Sequence, residues 1–475
     1  MPEGGAEYRG KMVGFITKIQ HDLVTADNYG DLLQSAEKGD WNEWEKANLR
    51  LWRRQYEMQS KLPADFVEKE AAAISEAYTA WEKARETNDL DLFLPHMKQV
   101  FDLEKQRAEY IGYEEHPYDA LLDQYMPGMT TAKLEKLFNE LKPFVVDLTG
   151  KIGESSVKPD YARFEAIDFD SLRQKEFELN MTSLVGFDYS RGFMGETVHP
   201  ITLNLGLGDV RITDSFQRDD EFWPFTVGLH EGGHGIYEQG LPEKFYGQPV
   251  GESMSMDIHE SQSRFYENHI GRSKAFWTYW LPRLEGAFPF ELEGITLDDF
   301  YLYLNRVESS LIRLEADEVT YSLHVIIRFE IERDVIAGEL AVEDISDEWN
   351  RKYKEYLGVD VPDYTNGVLQ DLHWSQGYVG YFPSYVLGSM NAAQLYATML
   401  KETPDLETQI AQGNFGVVKD WLHEKIHKWG SLYLPEELIE KATGEPPTAK
   451  YFMDYLDSKY GELYQLEETE IAASE

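Results

Sequence analysis

Apolar side chains recur at helical spacing through most of this 475-residue chain. Groups that fall on one side of successive turns can leave water together only by packing helix on helix, so the pattern points to a mainly α fold. From about Tyr8 to Gly112, Trp44, Leu51 and Met58 return at every seventh position, and Phe66, Ile74, Tyr78 and Trp81 mark a second stripe. Such spacing is what any buried helix needs, so these aromatics are read as core and not as a ligand box. Pro63 and Pro95 stand where new helices can begin. One stretch breaks the rhythm: from His199 to Thr213 apolar and polar residues alternate around a Gly-rich turn at 206–209, the pattern of a β-hairpin. After Pro224 the helical period returns and holds through Trp429, apart from loops near 247–251 and 358–367. No repeat, low-complexity run or linker divides the chain, so 1–475 is expected to form one unit, with the helices of 1–115 flanking a cleft.

There is no cysteine. That excludes disulfides and thiolate chemistry, leaves only His, Asp and Glu to hold a metal, and suits a reducing compartment. The opening residues lack the apolar core of a secretory signal, and no stretch approaches the roughly 18 apolar residues of a membrane span, so a cytoplasmic protein is expected. Asn180-Met181-Thr182 then reads as a chance glycosylation match. With 86 acidic against 45 basic residues, a formal charge of −41 repels nucleic acid and anionic membranes, and neither is expected as a partner.

His230-Glu231-Gly232-Gly233-His234 sets two imidazoles four residues apart on one helix face, close enough to share a Zn²⁺ ion, with Glu231 turned to the same cleft. His423-Glu424-Lys425-Ile426-His427 repeats the pattern, so at least one copy is accidental. The first has small, uncharged residues between its histidines; the second puts Lys425 beside a would-be dication, where like charges compete. Val418, Leu422, Ile426 and Trp429 also form an ordinary core stripe there, which leaves His423 and His427 on its flank, at the surface. Zinc needs a third protein ligand and an open position. Glu260, in Asp257-Ile-His-Glu-Ser-Gln262, is preferred, since a further helix can return a carboxylate to the ion; adjacent His259 points about a hundred degrees away.

These residues, with others between about His199 and Tyr385, resemble the carboxypeptidase Taq family of metallocarboxypeptidases. Six of its motifs stand in order: His199-Pro200-Ile201 for HPF, Asp209-Val-Arg211-Ile-Thr213 for DxRxT, His230 to His234 for HExxH, and His259-Glu260-Ser261-Gln262 for HES(G)Q. Arg313-Leu-Glu-Ala-Asp317-Glu318-Val-Thr-Tyr321 onward to His324, Arg328, Glu330 and Glu332 matches a long RxxADELTYxxHIxxRxExE element, and Gly367-Val-Leu-Gln370-Asp371-Leu-His373-Trp374 matches GxxQDxHW. Ile201, Val319 and Val325 replace Phe, Leu and Ile, changes that touch pocket shape and no polar group. The resemblance implies a large helical two-lobed body around a deep groove, with a small β-hairpin or sheet at the cleft edge and the motif-bearing region over 195–390. It implies Glu260 as third ligand and a homodimer. A more distant similarity to angiotensin-converting enzyme places the hairpin, and His199 with it, along substrate backbone.

The expected function is a metallocarboxypeptidase that takes peptides with a free C-terminal carboxylate and releases single amino acids. One divalent ion per chain, Zn²⁺ with Co²⁺ or Mn²⁺ as alternatives, activates water, and Glu231 is the general base. His373 and Tyr381 are the candidates to stabilise the oxyanion, with Tyr378 and Tyr385 close by in sequence. A free carboxylate calls for an arginine, and Arg211, Arg313 and Arg328 are available, although Arg313 and Arg328 lie among Glu315, Asp317, Glu330 and Glu332 and could equally form structural ion pairs. Tyr385 is grouped with them at the substrate. His324 is divided between core and cleft, and His21, His96, His116 and His269 read as ordinary residues. The rivals are a zinc oligopeptidase or dipeptidyl carboxypeptidase and, from another class, a helical scaffold without metal.

Overall fold

The computed structural model describes residues 6–197, 199–216 and 220–466, so the ends of the expected 1–475 unit lie outside the described residues. Twenty α-helices and three short strands make up the described fold, and none of these helices is long and apolar enough to cross a membrane. The proline signals mark helix starts as expected. Pro63 caps the helix Ala64–Thr87, and Pro95 is the second residue of Leu94–Ile111. The helix Glu43–Ser60 starts with a reciprocal cap: Glu45 N–H donates to the Asn42 side chain at 3.1 Å, and Asn42 N–H donates back to the Glu45 carboxylate at 2.9 Å.

The apolar stripes sort differently from the expectation. Trp44 and Leu51 do not enter a main core; they cover Phe245, Val250 and Leu432, with Trp44 stacked on Phe245 at 4.4 Å. On the next helix the fully buried line is Phe66, Ala73, Ala77, Trp81 and Ala84, while Tyr78 is exposed. A neighbouring loop comes close to this helix: a Cβ on Gly377 would lie 3.1 Å from Ile74.

Two large apolar clusters fill the molecule. One joins the helices of 64–152 to Tyr321–Ala337 and Ile345–Leu357; the other gathers residues 164–304 with 406–442. The helix Pro383–Glu402 belongs to both: Val386, Leu387 and Met390 enter the first, and Leu395, Tyr396 and Met399 the second.

The hairpin forms as read, from β2 (Thr202–Asn204) and β3 (Val210–Asp214), antiparallel with Thr202 opposite Ile212. A third strand, β1 (Gly192–Glu196), pairs parallel to β3 and was missed, since two glycines in five residues give no alternating signal. Gly192 is needed: its Cβ would stand 2.6 Å from the Val210 carbonyl.

Glycine also sets how the central helices meet. Trp223–Gly240 carries His230 to His234, and a Cβ on Gly233 would lie 2.6 Å from the Gln262 carbonyl oxygen. On the other side of the helix Met256–Arg264, a Cβ on Gly388 would lie 2.4 Å from that of Glu260. The short helix bearing Glu260 is thus held between two glycines, closer than any other residue permits.

Candidate metal centre and active site

His230, His234 and Glu260 come together with ligand atoms all within 4.8 Å of one another. His230 Nε2 lies 3.9 Å from Glu260 Oε2 and His234 Nε2 lies 3.8 Å from Glu260 Oε1. Two atoms bound tetrahedrally to one zinc ion at about 2.1 Å stand about 3.4 Å apart, so both spans need to close by only a few tenths of an ångström around a shared ion. The other ring nitrogens are already engaged, which turns the two Nε2 atoms to the common point. His230 Nδ1 meets Glu267 at 2.8 Å, and His234 Nδ1 closely approaches His259 Nδ1. His259 Nε2 in turn meets Glu238 at 2.7 Å, so His259 stands behind His234 and outside the group. A donor set of two imidazoles and one carboxylate, with each imidazole held from behind by a carboxylate or by a histidine on a carboxylate, fits a divalent ion.

The turn after Glu260 shows how the outer contacts arise. Phe265–Gly271 is wound as a π-helix, a local widening of the helix common at functional sites, and it brings Glu267 under His230. Burial works against the Glu267 charge, but Arg264, His230 and Arg272 hold its carboxyl well below the usual carboxylate range. Burial also drives the His234 pKa down, helped by the charges of His259 and His230, so this ring is neutral, the form a metal ligand needs.

Glu231 is buried beside the group and is not part of it. Thr202 of β2 donates to Glu231 Oε2 at 2.5 Å, which fixes the carboxylate from the hairpin side. Burial pushes its pKa above the ordinary value, with the His230 charge and the Thr202 bond opposing.

From the other core comes the segment 371–385. His373 Nε2 lies 3.1 Å from the Tyr385 hydroxyl, and the His373 ring is 5.7 Å from Tyr381, which is 5.4 Å from Tyr385. Burial, the Arg313 charge and the more distant Arg328 charge depress the His373 pKa to about 3 against the pull of Asp371, so the ring is neutral at working pH. Burial raises the Tyr381 hydroxyl pKa, and the Glu260 charge adds to it, which keeps Tyr381 a donor in the field of the metal group.

A profile of the carboxypeptidase Taq (M32) metallopeptidases matches residues 1–460. The chain belongs to that family. Carboxypeptidase 1 of Bacillus subtilis is 40% identical over 467 residues, 98% of this chain and 93% of that protein. Thermostable carboxypeptidase 1 of Thermus thermophilus is 39% identical over 482 residues, again 98% and 93%. A crystal structure of an M32 carboxypeptidase from Deinococcus radiodurans superposes with a TM-score of 0.93 at 36% identity, over 98% of this chain and 94% of that one. This chain is a metallocarboxypeptidase.

Within this M32 carboxypeptidase the three arginines have distinct surroundings. Arg211, on β3, is half exposed, holds Asp209 through two bonds of 2.9 Å, and lies on the sheet face opposite to Ile212 and Thr202. Arg313 and Arg328 are buried and share one carboxylate that lies outside their own segment, Asp371: Arg313 donates at 3.0 and 2.8 Å, Arg328 at 2.6 Å. Arg328 spends its remaining donors on the His324 carbonyl, Tyr353 and Gln370. Glu330 pairs instead with Lys142 and Lys352. His199 sits exposed ahead of β2, its carbonyl accepting from Thr197 at 2.7 Å. His324 is a core residue, fully buried with Nδ1 3.0 Å from Tyr353.

The second His-Glu-x-x-His copy is not at the surface as a whole. His423 is exposed, but His427 is only 1% exposed, with Nε2 2.9 Å from Gln262 Oε1, because the helix ends at Lys425 and the chain turns His427 inward. It packs behind the helix that carries Glu260. Glu238, Glu267, Thr202, Asp371 and Gln262 went unassigned from sequence; the HES(G)Q and GxxQDxHW motifs contained the signal for the last two.

Proposed function

We propose that this metallocarboxypeptidase releases single amino acids from the C-terminal end of peptides, with zinc between His230, His234 and Glu260 and Glu231 as general base. One juxtaposition carries the reading: a three-ligand group with Glu231 buried against it and held by Thr202. When bound, the ion supplies Lewis acidity toward water and the scissile carbonyl. Thr202 occupies Oε2 of Glu231, so Oε1 is assigned to take the proton from water and to return it to the leaving amine. Neutral His373 and the Tyr381 hydroxyl are assigned to the developing oxyanion. Arg313 and Arg328 against the single charge of Asp371 leave net positive charge behind His373 and Tyr385, a field that favours a terminal carboxylate. Arg313, Arg328 and Tyr385 are assigned to that end of the peptide, and His199 and Arg211 to the hairpin side.

The test pairs metal analysis with product analysis. Glu231→Gln should keep one metal per chain and lose about 10²- to 10⁴-fold in kcat, and products should appear one residue at a time, with amidated peptides resistant. Dipeptides as first product, or hydrolysis surviving in the variant, would defeat the reading. The exposed apolar side chains Phe15, Ile16 and Leu23 suit a homodimer contact, and the cysteine-free chain suits the cytoplasm; sedimentation velocity checks the first.

A further inference from the structure

Glu332 is fully buried on the helix Tyr321–Ala337, far in sequence from the metal motif, and it accepts three hydrogen bonds, one from the helix Pro117–Tyr125 and two from the loop 371–385. The Tyr118 hydroxyl and the Gly380 backbone N–H both reach Oε2, at 2.6 and 2.9 Å, and the Trp374 indole N–H reaches Oε1 at 2.7 Å. Trp374 and Gly380 are the residues just inside His373 and Tyr381. A single carboxylate therefore closes the base of the loop that presents both side chains. Two glycines let the loop take this shape. Gly377 and Gly380 take positive φ, +70° and +94°, and a Cβ on Gly380 would lie 2.9 Å from the Leu121 carbonyl carbon. Tyr125 meets Tyr381 edge to face at 5.2 Å from the same side.

We propose that Glu332 is the positioning residue of this enzyme's reaction loop: through Trp374 and Gly380 it sets His373 and Tyr381 against the scissile bond. The inference rests on the reading of those two as the groups that meet the substrate carbonyl. Burial raises the Glu332 pKa to about 7 even against its three donors, so keeping this group buried has a cost, as expected of a group retained for its geometry.

An amide in place of the carboxylate discriminates. Tyr118 can reverse its bond, but the N–H groups of Trp374 and Gly380 approach different oxygens, so either orientation of a glutamine turns N–H toward N–H. Glu332→Gln should lower kcat by about ten- to a hundredfold, the range that a misplacement of about 1 Å produces, with KM within about twofold and metal per chain unchanged. Trp374→Phe removes one opposing N–H. Alone it should lower kcat severalfold; added to Glu332→Gln it should raise kcat above that of Glu332→Gln, a sign reversal that lost stability would not give. Wild-type kcat in Glu332→Gln, or further loss in the double variant, overturns the proposal. If Glu332→Gln fails to fold, Trp374→Phe decides alone, and unchanged kcat overturns it. Tyr381→Phe separates the two levels: full activity there sinks the underlying reading, whereas a fall in Tyr381→Phe with none in Glu332→Gln sinks only the role of Glu332.

Discussion

The close approach at Gly388 gives a metal-affinity prediction that can be worked from distances. A Cβ added there would meet the Glu260 Cβ at 2.4 Å, the Glu260 carbonyl carbon at 2.9 Å and Ser261 N at 3.1 Å. All three belong to backbone or to the root of a side chain, so no flexible tip can swing aside. Ordinary carbon contacts begin near 3.5 Å, so in Gly388→Ala the helix Met256–Arg264 must retreat by about 1 Å. The overpacking costs about 1–3 kcal/mol, offset in part by the roughly 1 kcal/mol that alanine gains over glycine within a helix. Metal ligation tolerates far less than such a shift, about 0.2 Å. Gly388→Ala should therefore lose metal to a chelator at a concentration at least about tenfold lower than wild type, a change of about 1.4 kcal/mol. The assay is retained metal after dialysis against graded chelator, with thermal melts of the metal-free forms. Gly286→Ala is the control, since nothing lies within 4 Å of its added Cβ. If Gly388→Ala holds its metal like wild type, the glycine contact does not set the position of Glu260.

Three further outcomes are expected. His427→Ala should destabilise by about 2–4 kcal/mol, because it opens a buried hole and strands Gln262, whereas His423→Ala should stay within about 0.5 kcal/mol; equal melting curves would refute this. Asp371→Ala strands two buried guanidinium groups and should cost about 3–5 kcal/mol by denaturant melting, a loss that Arg211→Ala, on the half-exposed face, should not share. Glu104 is buried, and burial pushes its pKa up to about 8, with Arg107 opposing and Glu70 and Glu332 adding; its folded value lies above the ordinary 4.5, so its contribution to stability is whole below about pH 4.5 and is lost as pH rises through about 8. Glu104→Gln mimics the protonated acid, so its Tm relative to wild type should rise between pH 5.5 and 8.5, and a constant difference would count against the buried acid.

What could be read in the sequence was what repeats or what chemistry compels. Helical spacing gave the fold class, the alternation from His199 gave β2 and β3, and the four-residue spacing of His230 and His234 gave two members of the candidate metal group, because each rule acts over a few neighbouring residues. Angular position on one helix separated Glu260 from His259, the preference for the carboxylate came from helix packing and the resemblance, and His259 lies against His234 outside the group. The misses were of another kind. β1 has no alternating pattern, and its strand character comes from pairing with β3. His427 looked solvated because a continuous helix was assumed through Trp429, but the helix stops at Lys425.

Arg328 and Glu332 show why such contacts escape a local reading. They stand four residues apart with opposite charge, the spacing of an ion pair along a solvated helix face, and by sequence Arg328 is divided between substrate and structural ion pairs with the acids around it. Both are fully buried, and there the rule fails. In a medium of low dielectric a single neighbour leaves most donors of a guanidinium and most lone pairs of a carboxylate unmet, and each unmet group is costly. Each side chain therefore draws in a partner with groups of its own to satisfy. Arg328 takes Asp371 and Gln370; Glu332 takes Trp374 and Gly380. Both sets lie on one loop, so two residues on adjacent turns of one helix fix a segment that begins at Gln370 and ends beside Tyr381. Local spacing reveals the groups that do the chemistry, whereas the groups that aim them are visible only once burial has decided which polar atoms must find each other.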